Sequence, residues 1–174
     1  MTKDKGIGAV VIEWHRNFMN RDDGAARSVR ARLKRCNSPV ETLAVAETFE
    51  LNARLKAYGQ NATASQLALL ATTFARLRSV DGERLAALFG SKSAKEGPRR
   101  LSEIRFQSLI RIKSRRELIA PLRRSMAVLG PDLSCNGWSL AEDLFYWNDA
   151  VRRKWCFQYF GAEFTMTNQG ESNQ

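Results

Sequence analysis

The stretch from Arg99 to Leu129, RRLSEIRFQSLIRIKSRRELIAPLRRSMAVL, constrains this chain more than any other. Nine of its residues are basic (Arg99, Arg100, Arg105, Arg111, Lys113, Arg115, Arg116, Arg123, Arg124) and two are acidic (Glu103, Glu117), so it carries +7 of the chain's formal +10. The charges are woven into an apolar pattern with helical period, so this is not a disordered basic tail. Two helices fit. Ser102 caps the first, and Glu103 sits in its first turn, where the helix dipole favours an acid. Phe106, Leu109 and Ile110 share one face, with Arg105 and Arg111 on the other side. In the second, Ser114 and Glu117 have the spacing of a capping box. Leu118, Leu122, Ser125, Met126 and Leu129 form its stripe, and Arg116, Arg123 and Arg124 point away from it. Pro121 removes one helical hydrogen bond, so this helix either kinks or starts later with Pro121 in its first turn. Gly130-Pro131 ends it.

Such an excess of positive charge, with no alternating acids on the polar faces, reads as a surface for a polyanion. A second basic patch supports this. Residues 21–35 hold six basic and two acidic residues, and Arg27, Arg30 and Lys34 cluster on one flank of the stripe Ala25, Ala26, Val29, Leu33 and Cys36. The acidic partner is expected to be nucleic acid before an anionic membrane surface, since no lipidation motif or isolated basic amphipathic helix is seen. No apolar run approaches the 18 residues a membrane span needs, and MTKDKGIGAVVIEW lacks the marks of a signal peptide. Cys36, Cys135 and Cys156 are far apart and in no metal-ligand spacing, which fits reduced thiols in a cytoplasmic protein.

Taken in order, the chain reads as helices throughout. Ile7, Val11, Trp14 and Phe18 define a helix over 7–19, with His15 beside the stripe as a packing residue. GIG at 6–8 lacks the spacing of a phosphate loop. Asp22-Asp23-Gly24 starts the next helix, and Asn37-Ser38-Pro39 breaks it, with Pro39 suited to a following first turn. Residues 40–57 favour helix, but their apolar positions do not settle on one face, which implies burial on two sides or a bend. Ser65 to Arg78 is a clear helix, and Asp81-Gly82 turns the chain into a short one carrying Leu85, Leu88 and Phe89. SKSAKEGP at 91–98 is the best linker. It divides the chain into N-terminal (1–90) and C-terminal (99–160) helical subdomains, with a polar, disordered tail over 161–174. Trp138 opens a last long helix on which Leu140, Ala141, Leu144, Trp147, Val151 and Trp155 share a face, while Tyr146 lies off it. The fold class is an all-α helical bundle.

Nothing in the chain assembles chemistry. One histidine leaves no Ser-His or Cys-His site except around His15, and the adjacent pairs Asp22-Asp23 and Glu142-Asp143 point about 100° apart on a helix, which makes no metal cradle. Both pairs read as helix-start or surface acids. We therefore expect no catalysis, no metal and no cofactor.

The segments SEIRFQSLIR, LIAPLRRSMAVL and WSLAEDLFYWN (138–148) resemble, in order, spacing and residue type, the C-terminal half of the CasB family, the small subunit of the type I-E CRISPR surveillance complex Cascade. The Trp14 helix and DDGAARSVRARLKR match its N-terminal half more loosely, so the resemblance spans roughly residues 10 to 160. It implies a non-catalytic subunit, present in two copies. With its neighbouring subunits and the guide RNA, it would brace the target strand paired to the guide and offer a basic groove to the displaced strand. Arg105, Arg111, Arg123 and Arg124 fall on matching motifs, and Arg30 on the looser match. With Arg27, Lys34, Arg100, Lys113 and Arg116 from the two basic patches, these are the candidate nucleic-acid contacts. The polar tail and SKSAKEGP depart from the family pattern. A free-standing helical DNA-binding regulator is the alternative, but it needs amides aimed at base edges, and the basic faces carry few.

Overall fold

The computed structural model describes residues 6–161. Among these residues ten helices run in order: α1 Ile7–Phe18, α2 Gly24–Arg35, α3 Pro39–Leu43, α4 Ala46–Ala57, α5 Ala64–Phe74, α6 Leu85–Gly90, α7 Glu103–Ile110, α8 Arg115–Ala127, α9 Gly137–Phe145 and α10 Asp149–Tyr159. Among the described residues no strand forms, and only two isolated bridges pair extended backbone, Ser79 with Ser134 and Lys92 with Arg99. The all-α reading holds. The expected tail beyond Gly161 lies outside the described residues.

Short polar side chains set most of the helix starts. Asp23, Ser38, Thr63, Ser102, Ser114, Asn136 and Asn148 each accept a hydrogen bond from the backbone N–H three residues on. Thr63 and Gln66 close both bonds of a capping box. At Ser114 the serine side forms, at 3.3 Å from the Glu117 N–H. α1 begins on Gly6, which has no side chain to cap with. One of its free N–H groups is served from across the fold, where Glu142 Oε1 accepts from Gly8 N–H at 3.0 Å.

α5 lies at the centre. Every residue from Leu67 to Phe74 is buried, and α2, α3, α4, α8 and α9 all pack on it. A helix apolar on all sides has no other place in a globular protein. α1 packs on α9 and α4, and α10 packs on α6 and α7. α6 and α10 cross so closely that a Cβ on Gly90 would lie 1.8 Å from the Tyr159 carbonyl oxygen. Buried residues from Ile7 to Tyr159, on both sides of 91–98, form one apolar cluster. Residues 91–98 themselves make a surface turn, closed where the Arg100 N–H donates to the Ser91 carbonyl at 2.8 Å. Trp14 and Trp155 are fully buried, each worth about 4–6 kcal/mol in removed apolar surface. Their indole N–H groups are satisfied, Trp14 by the Glu47 carbonyl and Trp155 by Asp143, both at 2.8 Å.

Four expectations change in detail. The helix expected to reach Arg78 stops at Phe74, because Arg78 N–H leaves it to donate to the Leu133 carbonyl at 2.8 Å, beside the Ser79–Ser134 bridge. The bend in 40–57 is a break between α3 and α4. The last long helix is two, α9 and α10, because Asn148 caps the second and Trp147 in the break donates to the Ile112 carbonyl at 2.8 Å. Its stripe survives, since Leu140, Ala141, Leu144, Trp147, Val151 and Trp155 are all buried. Asp143 is neither a helix start nor a surface acid: it is 4% exposed and accepts from both Lys154 and Trp155. Pro121 sits inside α8, which runs through it, and Gly130, at φ +94°, follows the helix end.

Candidate nucleic-acid interface

Much of the positive charge serves the helices. Their last carbonyls have no partner within the helix and carry the negative end of its dipole, so a guanidinium is a fitting cap. Arg30 donates to the Met19 carbonyl at the end of α1, and Arg76 to the Lys34 carbonyl at the end of α2, at 3.0 Å. Arg99 serves two ends, the Gly90 carbonyl of α6 at 2.8 Å and the Tyr159 carbonyl of α10 at 3.0 Å, and lies over the Tyr159 and Phe160 rings. Arg152 donates to the Ile110 carbonyl of α7 at 3.3 Å, and Arg115 to the Leu144 and Phe145 carbonyls of α9 at 3.3 and 2.8 Å. Five arginines thus close six helix ends.

Two of these, Arg30 and Arg76, belong also to a row of cations. Arg30 and Lys34 stand one turn apart on α2. Arg76 follows α5, and Arg123 projects from α8. The row is continuous electrostatically. Lys34 has its pKa lowered by burial and then by the Arg76 and Arg30 charges, and Arg76 has its own lowered by burial and then by Arg123. Neutral oxygens hold the three arginines of the row. Arg123 donates to the Asn37 side-chain oxygen at 2.6 Å, and Arg30 and Arg76 donate to carbonyls. A carbonyl orients a guanidinium without cancelling its charge. Arg21, Arg30, Lys34, Arg76 and Arg78 line one cleft of about 410 Å³ together with Asp22 and Asp132. Asp132 is engaged by Arg78 at 3.2 Å, and Asp23, next to Asp22, by Arg21 at 3.5 Å.

The structure therefore brings Arg30, Lys34 and Arg123 together, with Arg76 as the link. Arg27 lies one turn before Arg30 on α2 and is exposed. Arg105 and Arg124 line a second groove, between α7 and α8. Arg100, Arg111, Lys113 and Arg116 are exposed around α7 and the start of α8, and no hydrogen bond or ion pair ties them to either cluster. Arg123 is half-buried and bridges α8 to the α2–α3 connection, so it is less free than its place opposite the stripe implies. Arg76 was missed by sequence reasoning. Its only sign was a basic residue at the end of a helix otherwise buried, and the tertiary approach of α2 gives it its place.

Two titratable side chains away from the row, His15 and Cys135, are packed into the core. His15 is fully buried, its Nε2 3.2 Å from the Leu77 carbonyl. Burial, outweighing that hydrogen bond, holds its pKa below the usual value. Burial pushes the Cys135 thiol up to about 12. Among the described residues no group of three or more His, Cys, Asp or Glu is placed to hold a metal ion, and no helix is long and apolar enough to cross a membrane.

These features define an all-helical, strongly basic protein whose free cations face outward without carboxylate partners. The family model for CRISPR-associated protein Cse2 matches residues 29–160. The chain belongs to that family, also called CasB, of the type I-E CRISPR system, and is thus a small subunit of Cascade in CRISPR defence. No curated protein and no solved structure matches it significantly.

Proposed function

We propose that this subunit is a non-catalytic brace for nucleic acid: it steadies the hybrid of guide RNA and target DNA and holds the displaced strand, which stabilises the R-loop. R-loop formation is close to energy-balanced, so modest backbone contacts tip it. The observation that carries this reading is the row Arg30, Lys34, Arg76 and Arg123, whose three arginines are held by carbonyl and amide oxygens rather than by carboxylates. A phosphate approaching it meets positive charge that is already oriented and not neutralised. Arginine and lysine without amides recognise backbone rather than base edges, as a subunit that must accept any target requires. Its partners are then the other Cascade subunits with the guide RNA, the target backbone, the displaced strand and a second copy of itself.

The test is binding of the purified chain to single- and double-stranded oligonucleotides of unrelated sequence over a salt series. Weak binding that falls steeply with salt and ignores sequence supports the brace. Strong preference for one short duplex favours a regulator instead.

A further inference from the structure

The groove between α7 and α8 differs from the cation row in kind. Its floor is apolar: Leu101, Ile104, Leu109, Ile112 and Pro121 line a space of about 400 Å³. Ile104 is 77% exposed on a helix whose Phe106 and Leu109 are buried. Arg105 and Arg124 stand at its edge, both exposed and neither paired with an acid, and no acidic residue lines it. Ser108 and Ser125 also line it, but their hydroxyls already donate to the Ile104 and Pro121 carbonyls of their own helices, both at 2.9 Å. An apolar slot flanked by unpaired cations complements a group that is flat, apolar on its faces and anionic on either side.

We propose that the α7–α8 groove receives an unpaired nucleobase, with Arg105 and Arg124 on the phosphates next to it. This rests on the nucleic-acid reading above and deepens it, because the groove discriminates between kinds of strand where the cation row does not. Bases in a duplex are stacked and paired and cannot enter. In a single strand each base has two faces free for apolar contact, and such contact is tolerant of sequence. The serine protons are engaged within their helices, so the groove offers no fixed donor pattern from them to read a base edge. It therefore selects single strand over duplex without selecting sequence, which suits a displaced strand.

The experiment compares three probes with the full-length chain: a mixed-sequence single strand, the same strand with several abasic positions, and the duplex. The abasic strand keeps every phosphate and loses only bases. The intact strand should bind about five- to tenfold more tightly than the abasic one, the low end of what one stacked base contributes on aromatic platforms. Ile104→Ala should bring the intact strand down to the abasic value and leave abasic and duplex binding unchanged. Arg124→Ala should weaken the intact and abasic strands alike and flatten their salt dependence, the mark of a phosphate contact. Equal binding of intact and abasic strands by the wild type overturns the groove proposal and leaves the backbone reading standing. No binding to any probe overturns both. If Ile104→Ala leaves all three affinities unchanged and instead weakens co-purification with neighbouring Cascade subunits, the groove holds an apolar side chain of a protein, and the proposal is wrong.

Discussion

Arg76 Nη2 donates to the Lys34 carbonyl at 3.0 Å, so the guanidinium that closes α2 stands against the last basic turn of the same helix. One side chain thereby does two things. It satisfies a carbonyl that the helix leaves open, and it adds its charge to the row that Lys34 and Arg30 begin. Stability and charge density rise together at this point, which accounts for a half-buried arginine in a place no exposed face requires.

Replacing Arg76 should separate the two effects. Arg76→Ala removes one cap hydrogen bond and is expected to cost about 1 kcal/mol in denaturant unfolding. On single strands it should also flatten the log–log salt dependence of binding by about 0.7, the share of one phosphate contact. A stability loss with an unchanged salt slope would restrict Arg76 to the cap.

The buried Asp143 gives a second prediction. It is 5% exposed at the side chain and holds the Lys154 ammonium and the Trp155 indole N–H, tying α9 to α10 across their break. Asp143→Ala leaves a buried indole donor without a partner, while the Lys154 side chain, 28% exposed, recovers part of its hydration. Breaking a buried pair from one side costs about 3–5 kcal/mol when the other charge is trapped, and less here, about 2–4 kcal/mol. Thermal unfolding measures it. A cost under 1 kcal/mol would mean the two helices hold their angle by apolar packing alone.

How far the sequence foretold this follows from the range of each interaction. The caps at Asp23, Ser102 and Ser114 lie three residues from the N–H they serve, so they could be read directly. The stripe through Trp147 and Trp155 could be read too, yet the break between α9 and α10 could not. Asn148 caps α10 in place of a continuing helix, and Trp147 turns to a carbonyl 35 residues away. The cap of α1 by Glu142, 134 residues distant, left no local sign, since Gly6 looks like a helix without a cap. For the candidate interface, composition showed the charge excess but not its division. Arg99 and Arg115 carry no local sign of the helix ends they close, which only packing brings to them.

His15 makes stability depend on pH in a stated direction. Burial holds its folded pKa below the ordinary 6.5, opposed by the Leu77 hydrogen bond and aided by the nearby Arg30 and Arg16 charges. Well above pH 6.5 the ring is neutral folded or unfolded, and it contributes no pH dependence. As pH falls below that value the unfolded chain takes up a proton that the folded one refuses, so stability declines until the folded pKa is reached. His15→Gln keeps an N–H donor for the Leu77 carbonyl and does not titrate. Denaturant midpoints between pH 5 and pH 7 should fall more for the wild type than for this variant. Parallel curves would assign the acid sensitivity to other groups.

The last prediction concerns Arg111, Arg123 and Arg124 in the assembled complex. Arg111 and Arg124 are exposed without acid partners, so changing each to Ala should alter stability within about ±0.5 kcal/mol. Arg123→Ala also removes the bond to Asn37 and should cost nearer 1 kcal/mol. The chain keeps its core in all three, because the buried stripe of α8, from Leu118 to Met126, is untouched. The triple variant should therefore still join Cascade. If the three side chains touch phosphates of a single strand, its salt slope should drop by about 2, three contacts at about 0.7 each. The loss should be equal on unrelated sequences, since phosphates carry no sequence information. In an R-loop the displaced strand should then be cut faster by a single-strand nuclease, most visibly at the higher of two salt concentrations. The comparison is strand protection and R-loop lifetime with wild-type and triple-variant subunits at both salts. Protection and slope both unchanged would mean that these arginines face solvent or a protein neighbour, and that the strand runs elsewhere on the complex.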